Sequence, residues 1–411
     1  MRGSAAFRTG VAPGGALAPG WVKNELWRKA RTVPSLDLRF AENKSLVDAT
    51  TGASLVTFTR ASSGTFVGSN GLIQTAATNE PRFDHNPTTG ESLGLLVEEA
   101  RTNLVLRSEA IATSPWFAGA NTTLSNNTGE VLDPAGGSTA TKVVVSGGTG
   151  AFGQSVTLTA AIHTGSIWLR CATGTISASL IVYLGGSPFT NIGTTNVTIT
   201  TTWQRFSVVT STATAAVYNL QLNTIAIGTV YAWGAQLEAG AFPTSYIPTT
   251  SATATRAADV ASITGTNFSS WYNQTEGTVF GQFLRTASTN TQQGRVFSFS
   301  DGTNTNVLEI YHTGPSNPSA QITVSTLQAQ WIPSGFTLGT SIKEVLGYRL
   351  NNSNASFNGS TETLDTVCNI PTVTQARIGD RQDGVRTLNG TIQRLTFWPT
   401  RLATLQAISQ P

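Results

Sequence analysis

The chain is patterned mainly as short runs of β-branched and aromatic residues, separated by clusters of Gly, Asn, Ser and Thr from Leu36 onward. This pattern is typical of antiparallel strands joined by turns. The clearest runs are LVTFTR (55–60), KVVVS (142–146), QSVTLTA (154–160), SIWLRC (166–171), SLIVYL (179–184), NVTIT (196–200), QRFSVVT (204–210) and VYNLQL (217–222). Their spacing predicts an all-β protein of tandem antiparallel β-sandwiches of jelly-roll type, preceded by an extended N-terminal arm.

Helical patterns are few and short. They occur in the arm at WVKNELWRKA (21–30), at residues 96–109 and at the C-terminal TRLATLQAIS (400–409). No apolar run approaches the roughly 20 residues that cross a bilayer, and the N-terminus lacks the apolar centre of a signal peptide. We therefore expect no membrane insertion.

The strand pattern is interrupted at several points, and these interruptions divide the chain into four regions. We predict an N-terminal arm (1–35), a β-rich linking region (36–110), a first β-sandwich (111–255) and a second β-sandwich (256–411). The two predicted sandwiches end alike, on GTVYAWGAQLE (228–238) and GTIQRLTFWPTRL (390–402). We expect each of these segments to be a long strand that returns to its own sheet.

Charge is scarce and unevenly placed. Charged residues make up only 11% of the 411 residues, and the net charge is +3. Residues 1–31 carry six basic residues against Glu25 alone, so the rest of the chain is net negative. The basic residues are too widely spread for specific nucleic-acid binding. An arm with Trp and Leu but no core of its own is expected to dock on a partner, although a disordered tail is the alternative. The candidate partner-binding residues are Arg2, Arg8, Trp21, Lys23, Leu26, Trp27, Arg28 and Lys29.

The first predicted sandwich has almost no residues for acid/base chemistry. Residues 134–237 contain no Asp or Glu, whereas glycoside hydrolysis usually needs a pair of carboxylates. The G-x-G-x-x-G match at residues 148–153 is followed by a strand, not by the helix a dinucleotide site needs, so we interpret it as a turn. Sugar contacts there would come from Trp168, Tyr183, Trp203 and Tyr218, although core positions are the favoured alternative for these aromatics.

No other residue pattern points to a reactive or metal centre. Cys171 and Cys368 lie far apart and are expected to be small buried hydrophobic residues. Asp380 and Asp383, in the loop GDRQDG, allow either a calcium site or a salt-bridged turn, and the turn is favoured. We predict no catalytic residue, no metal and no cofactor, and therefore a protein that is not an enzyme.

Several longer segments resemble bacteriophage virion proteins, particularly large appendage or fibre-type proteins. They are residues 36–74, LGLLVEEARTNLVLRSE (93–109), WGAQLEAGAFPTSYIPTT (233–250) and TRAAD (255–259). The first predicted sandwich is also similar to the jelly rolls of carbohydrate-binding modules, and the second resembles concanavalin A-like, laminin-G-like sandwiches. Together the resembling segments and domains cover about three quarters of the chain and are distributed between Leu36 and its end.

The resemblance implies a structural protein on the exterior of a phage particle. It implies a homotrimer, attached to other virion proteins by its N-terminal arm, whose sandwiches contact polysaccharide on the host surface. A capsid cement or decoration protein that stabilises the phage head is the alternative, and a polysaccharide depolymerase is a third, weaker one. Sugar-binding residues do not transfer one by one, because such sites vary in their loops.

Overall fold

The structure of the protein, a computed structural model, describes residues 24–185, 189–285, 293–313, 317–337, 339–360, 363–403 and 405–411. The described chain is all-β, with antiparallel sheets that form sandwiches, which confirms the predicted fold class. The helices within these ranges are short: α1 (Glu25–Ala30), α2 (Phe40–Asn43), α3 (Gly265–Ser269) and α4 (Gln406–Ser409). None of them has the length and apolar character needed to cross a bilayer.

The middle sandwich consists of two five-stranded antiparallel sheets. Its strands in chain order are β8 (Phe117–Ala118), β9 (Thr122–Ser125), β10 (Thr141–Val145), β11 (Gly150–Leu158), β12 (His163–Cys171), β13 (Ile176–Leu184), β14 (Thr190–Ile199), β15 (Gln204–Val209), β16 (Ala216–Ile225) and β17 (Gly228–Ala239). We call β15-β12-β17-β10-β9 the packed sheet and β14-β13-β16-β11-β8 the outer sheet. The facing sides of the two sheets enclose one apolar core, which includes the buried, free Cys171.

The C-terminal sandwich and two separate strand pairs draw their strands from both ends of the chain. The N-terminal part supplies β1 (Leu36–Leu38), β2 (Thr57–Thr59), β3 (Gly64–Val67), β4 (Ile73–Ala76), β5 (Phe83–His85), β6 (Ser92–Val97) and β7 (Arg101–Asn103). The C-terminal part supplies β18 (Ala254–Arg256), β19 (Val260–Thr264), β20 (Glu276–Arg285), β21 (Arg295–Ser300), β22 (Asn306–Thr313), β23 (Asn317–Val324), β24 (Thr326–Trp331), β25 (Ser341–Arg349), β26 (Ser353–Phe357), β27 (Thr363–Asp365), β28 (Gln375–Ile378) and β29 (Gly390–Trp398).

Its two large sheets contain strands of the linking region. The eight-stranded sheet has the order β27-β26-β25-β20-β29-β6-β5, with β1 also paired to β29, and the seven-stranded sheet runs β2-β19-β28-β21-β22-β23-β24. Leu36 is thus paired with Phe397 across nearly the whole sequence. The hairpin β3-β4 and the pair β7-β18 complete the strand pairing. The domain boundaries predicted from sequence stay predictions, but the linking region gives strands to both sheets of the C-terminal sandwich.

The predicted strands are confirmed and one predicted helix is wrong. Each strand run named above contains or overlaps a strand, and the two long returning strands are β17 and β29, which lie inside their sheets. Residues 96–109 are not helical: they form the end of β6, then β7 and turns. The physical reason is long-range pairing, because β7 hydrogen-bonds to β18 and Asn103 donates to the carbonyls of Ala235 and Ile247.

A buried ion cluster joins the linking region to the segment between the sandwiches. Arg60 Nη1 lies 3.1 Å from Asp259 Oδ1, Arg82 Nη1 lies 2.9 Å from Glu98 Oε2, and Arg256 approaches both carboxylates. Burial opposes the ionisation of Glu98, but Arg256 and Arg82 outweigh it and lower the pKa of Glu98 to about 2. Glu98 is therefore ionised in the folded chain at neutral pH.

Candidate functional site

The described part of the N-terminal arm packs on its own chain. Leu26 of α1 is buried with Phe280, Val345 and Trp398 on the outward side of the eight-stranded sheet, and Trp27 Nε1 donates to Asp37 Oδ2 at 3.0 Å. Leu26 is therefore already covered by intramolecular contacts. Of the other candidate partner-binding residues, Arg28 is exposed, Lys29 pairs with Glu25 at 3.2 Å, and Arg2, Arg8, Trp21 and Lys23 lie outside the described residues.

A polar cleft of about 210 Å³ lies between α1 and this sheet. Lys29 and Lys343 enter it from opposite sides, and both ammonium groups donate to the backbone carbonyl of Gln410. Burial, together with the nearby charge of Lys29, lowers the pKa of Lys343. The cleft is small, and because Glu25 and Lys29 form an ion pair, these two charges on its lining neutralise each other.

The loop GDRQDG is a salt-bridged turn. Arg381 pairs with Asp383, which also accepts a hydrogen bond from Asn304 Nδ2 at 2.8 Å. Asp380 is buried, and burial raises its pKa to about 6. No group of three or more His, Cys, Asp or Glu side chains suited to a metal ion occurs anywhere in the described ranges. The turn therefore holds one carboxylate paired with Arg381 and one buried carboxyl group.

Three of the four aromatic residues named as possible sugar contacts have other roles. Tyr218 is 2% exposed and belongs to the core. Trp168 lies on the outward side of the packed sheet, edge-on to Tyr246 at 5.6 Å, with the Arg205 guanidinium 4.3 Å from its ring centroid. Trp203 donates from Nε1 to the carbonyl of Leu132 at 2.8 Å in the turn before β15.

The packed sheet is covered by other parts of the chain. Residues 242–247 lie against its outward side, where Trp233 and Tyr246 have ring centroids 4.6 Å apart and Gln236 and Glu238 are fully buried. Glu238 accepts from the backbone N–H and the hydroxyl of Thr244 at 2.8 and 2.7 Å. This part of the packed sheet is therefore closed to a ligand.

Tyr183 lies on the outward side of the outer sheet. On β13, Leu180 and Val182 belong to the core, so the alternation of a strand places Ile181 and Tyr183 outward. The same reasoning places Asn219 and Gln221 outward on β16, where they lie opposite Tyr183 and Ile181. Of these four central side chains, Tyr183 and Asn219 are half-buried, whereas Ile181 and Gln221 are only 6% and 9% exposed.

The amides of this surface share one hydrogen-bonding pattern. The Tyr183 hydroxyl donates to Gln221 Oε1 at 2.7 Å, Ser155 Oγ donates to Asn219 Oδ1 at 2.7 Å, and Ser179 Oγ donates to Asn196 Oδ1 at 2.9 Å. In each pair, a hydroxyl group on a neighbouring strand donates a hydrogen bond to the amide oxygen. Asn and Gln carry two N–H donors each, and no hydrogen bond from these NH₂ groups occurs among the described residues. Gln221 is only 9% exposed, so the NH₂ groups within reach of a ligand are those of Asn196 and Asn219.

Two exposed phenylalanines lie at the ends of this surface. Phe189, which is 73% exposed, contacts the Tyr183 ring edge-on with 5.5 Å between ring centroids. Phe117 of β8 lies opposite Gly153, where an added Cβ would come within 3.0 Å of Phe117 Cζ. The missing side chain at Gly153 thus makes room for the Phe117 ring beside Gln221. We call Phe117, Ser155, Ser179, Ile181, Tyr183, Phe189, Asn196, Asn219 and Gln221 the outer platform.

Sequence reasoning identified Tyr183 and missed most of the platform. Phe117 and Phe189 lie outside the strand runs that the pattern singled out, and Asn219 and Gln221 were read only as part of a strand. The available signal was the polar alternation of VYNLQL (217–222), which marks one side of that strand as solvated.

Comparison with known proteins gives structural similarities only. No protein-family model and no curated protein matches the sequence. The CBM40 of a Ruminococcus gnavus IT-sialidase, bound to α2,3-sialyllactose, is 16% identical, with a TM-score of 0.29 over 34% of this chain and 84% of that one. TmCBM61 in complex with β-1,4-galactotriose is 14% identical, with a TM-score of 0.28 over 34% of this chain and 99% of that one. The CBM22-1 xylan-binding domain of Paenibacillus barcinonensis Xyn10C is 13% identical, with a TM-score of 0.29 over 36% of this chain and 99% of that one. At these scores the similarities carry no conclusion about function.

Proposed function

We propose that the middle sandwich binds glycans through the outer platform. The observation that carries this proposal is a sheet surface on which the exposed rings of Phe189 and Phe117 and the half-buried ring of Tyr183 lie on the same side as the accessible amides of Asn196 and Asn219. Aromatic rings offer flat apolar area to the C–H faces of sugars, and amides and hydroxyls hydrogen-bond to sugar oxygens. Both kinds of contact are needed, because a sugar ring is apolar on its faces and polar around its edge.

Phe189→Ala tests the binding site without threatening the fold, since this side chain is 73% exposed. The matched control is Leu132→Ala, which removes a 66% exposed apolar side chain near Trp203, away from the platform. Both proteins would be applied to an array of bacterial surface polysaccharides, with titration calorimetry for the polysaccharides that bind. Loss of a well-placed aromatic contact costs more than about 1 kcal/mol, so we expect Phe189→Ala to weaken binding about tenfold or more. Equal binding by Phe189→Ala and the parent protein, or no binding by the parent protein, would count against the platform.

We further propose that the chain is a fibre-type structural protein on the exterior of a bacteriophage particle. It would be a homotrimer, attached through its N-terminal arm and directed at host surface polysaccharide. This part of the proposal is supported by the sequence resemblance alone. The segments that carry the resemblance also supply the buried ion cluster, with Arg60, Glu98, Arg256 and Asp259.

Deletion of residues 1–23 tests the attachment. This change leaves α1 and its buried Leu26 in place. We expect the shortened protein to fold and bind glycan but to be missing from assembled particles, as measured by protein analysis of purified virions. Normal incorporation would remove the anchoring role. Imaging of the particle distinguishes a fibre from a head decoration, which is the second possible location of such a protein.

We also propose that the protein binds polysaccharide without cleaving it. The outer platform contains no carboxylate, and glycoside hydrolysis usually requires two. Incubation of the purified protein with a polysaccharide that it binds should leave the size distribution of the polymer unchanged. Shortened chains would contradict this part of the proposal.

A further inference from the structure

Charge is distributed very unevenly between the two sheets of the middle sandwich. The strands of the outer sheet, β8, β11, β13, β14 and β16, contain no Asp, Glu, Lys, Arg or His. The basic residues between Asp133 and Glu238 all lie on strands of the packed sheet: Lys142, His163, Arg170 and Arg205. The absence of charge is therefore a property of one surface and not of the whole domain.

We propose that the outer platform selects neutral glycan chains and discriminates against those that carry carboxylate, sulfate or phosphate. This inference rests on the proposed glycan-binding function. An anionic group placed on the platform would lose water without gaining a cation, and burying an unpaired charge is far more costly than burying a hydrogen-bonded polar group. The hydroxyl, ring and acyl oxygens of a neutral sugar lose little free energy when they leave water, because hydrogen bonds from the amide NH₂ groups replace their hydrogen bonds to water.

The cations of the packed sheet are too far away to compensate. Stacked sheets lie about 10 Å apart, which is about the screening length of physiological salt. In addition, Arg205 is engaged with the Trp168 ring and with the carbonyl of Thr244. The strands that form the platform therefore supply no positive charge of their own.

The platform also favours chains over single sugars. Phe117 on β8 and Tyr183 on β13 are separated by β11 and β16, so the two rings are about 15 Å apart at normal strand spacing. One sugar ring cannot contact both aromatic groups. We expect affinity to rise with chain length until both ends of the platform are occupied.

The test uses a panel of acidic bacterial capsular polysaccharides, each compared with its own carboxyl-reduced form. We expect the carboxyl-reduced form to bind at least tenfold more tightly than the acidic form, with less than a twofold change in affinity between 20 and 300 mM NaCl. Equal or tighter binding of the acidic forms would overturn the charge selection while leaving glycan binding intact. Binding of neither form would overturn the proposed function and the selection together.

A variant that adds one positive charge gives a second, independent readout. Thr194 is exposed on β14 opposite Ile181, so Thr194→Lys places one ammonium on the platform. We expect this variant to bind the acidic forms severalfold more tightly than the parent protein does, with a gain that disappears at 300 mM NaCl. Leu132→Lys adds the same charge away from the platform and should leave the preference unchanged. A gain of equal size in both variants would show attraction by net charge and would contradict a selective surface.

Discussion

Glu344 is a fully buried carboxyl group in the core of the C-terminal sandwich. It lies on β25 between Ile342 and Leu346, two residues of the apolar core, and is paired across the sheet with Gly281 and Phe357. Neither of its oxygens has a hydrogen-bond partner within the described ranges. Burial raises the pKa of Glu344 well above its ordinary value, so the folded chain holds the neutral acid.

Glu344 should make the protein less stable as pH rises. In the unfolded chain this carboxyl ionises above about pH 4.5, whereas in the folded chain it stays neutral until the raised pKa is reached. Between these two pKa values the free energy of unfolding falls by up to about 1.4 kcal/mol per pH unit from this group alone. We expect Glu344→Gln to remove that slope and to be more stable than the parent protein at pH 8, as measured by urea unfolding between pH 5 and pH 9. The exposed Glu91→Gln is the control, and a slope that persists in Glu344→Gln would assign the pH dependence to another group.

Two tyrosines show how far a sequence predicts the position of a single side chain. Tyr183 and Tyr218 both lie in strand runs with similar neighbours, yet Tyr218 is in the core and Tyr183 is on the platform. Which side of a strand faces the core depends on its register with its neighbours, and a shift of one residue exchanges the two sides. A strand pattern predicts that one of the two sides is buried. Which aromatic residues lie on that side depends on how the strand pairs with its neighbours in the sheet.

At the scale of elements, local pattern succeeded for strands and failed where distant contacts dominate. The strands of the middle sandwich follow directly from alternation and turn residues. Residues 96–109 carry apolar residues at helical spacing, but Glu98 and Asn103 are held by partners more than 100 positions away. A short helix gains little without tertiary packing, so those contacts determine the extended structure.

Helix α1 depends on packing in the same way. A six-residue helix is not stable in isolation, so its order comes from its capping by Asn24 and from the burial of Leu26. Replacing a buried Leu by Ala costs about 2–5 kcal/mol, which exceeds what so short an element can lose. We expect Leu26→Ala to release α1 while leaving both sandwiches folded. Trypsin cleavage at Arg28, Lys29 and Arg31 should become much faster in this variant.

Arg28→Ala is the matched control for the release of α1, because Arg28 is exposed on the same helix. This variant loses one cleavage site and should keep the slow cleavage at Lys29 and Arg31. Rapid cleavage of the parent protein at these sites would contradict a docked helix. Slow cleavage of Leu26→Ala would show that other contacts, such as the hydrogen bond from Trp27 to Asp37, are sufficient to hold it.

At the scale of the whole molecule, the sequence predicted two sandwiches but not how they are connected. The linking region supplies β1 and β6 to the sheet that contains β29. In the paired register, Leu36 of β1 lies opposite Phe397, and Leu95 of β6 lies opposite Ile392. No local pattern specifies a partner at that distance, because many strands of similar composition compete for the same sheet edge. The ion cluster is equally non-local, since Arg60 and Asp259 become neighbours only when the fold is complete.

Glu98 links the ion cluster to the middle sandwich. Its carboxylate pairs with Arg82 and Arg256 and also accepts from the backbone N–H and the hydroxyl of Ser245 at 2.7 and 2.6 Å. Ser245 belongs to the segment that covers the packed sheet, so one side chain contacts both halves of the molecule. Removing one partner of a buried ion pair leaves unpaired charge in the interior and typically costs about 3–5 kcal/mol.

Glu98→Gln should therefore weaken both the stability of the molecule and the coupling between its sandwiches. We expect a single calorimetric unfolding transition in the parent protein and two separate transitions in the variant, the first at a clearly lower temperature. Asp383→Asn removes a carboxylate from the partly exposed pair with Arg381 and should change stability by no more than about 1 kcal/mol.

Because the pKa of Glu98 is lowered to about 2, its contribution to stability is complete above about pH 4.5 and is lost as the pH falls toward 2. We therefore expect the parent protein to unfold in two transitions in acid, and Glu98→Gln to unfold in two transitions at every pH. Two transitions in the parent protein at neutral pH would contradict this coupling. They would show that the sandwiches are independent and that the ion cluster stabilises only one of them.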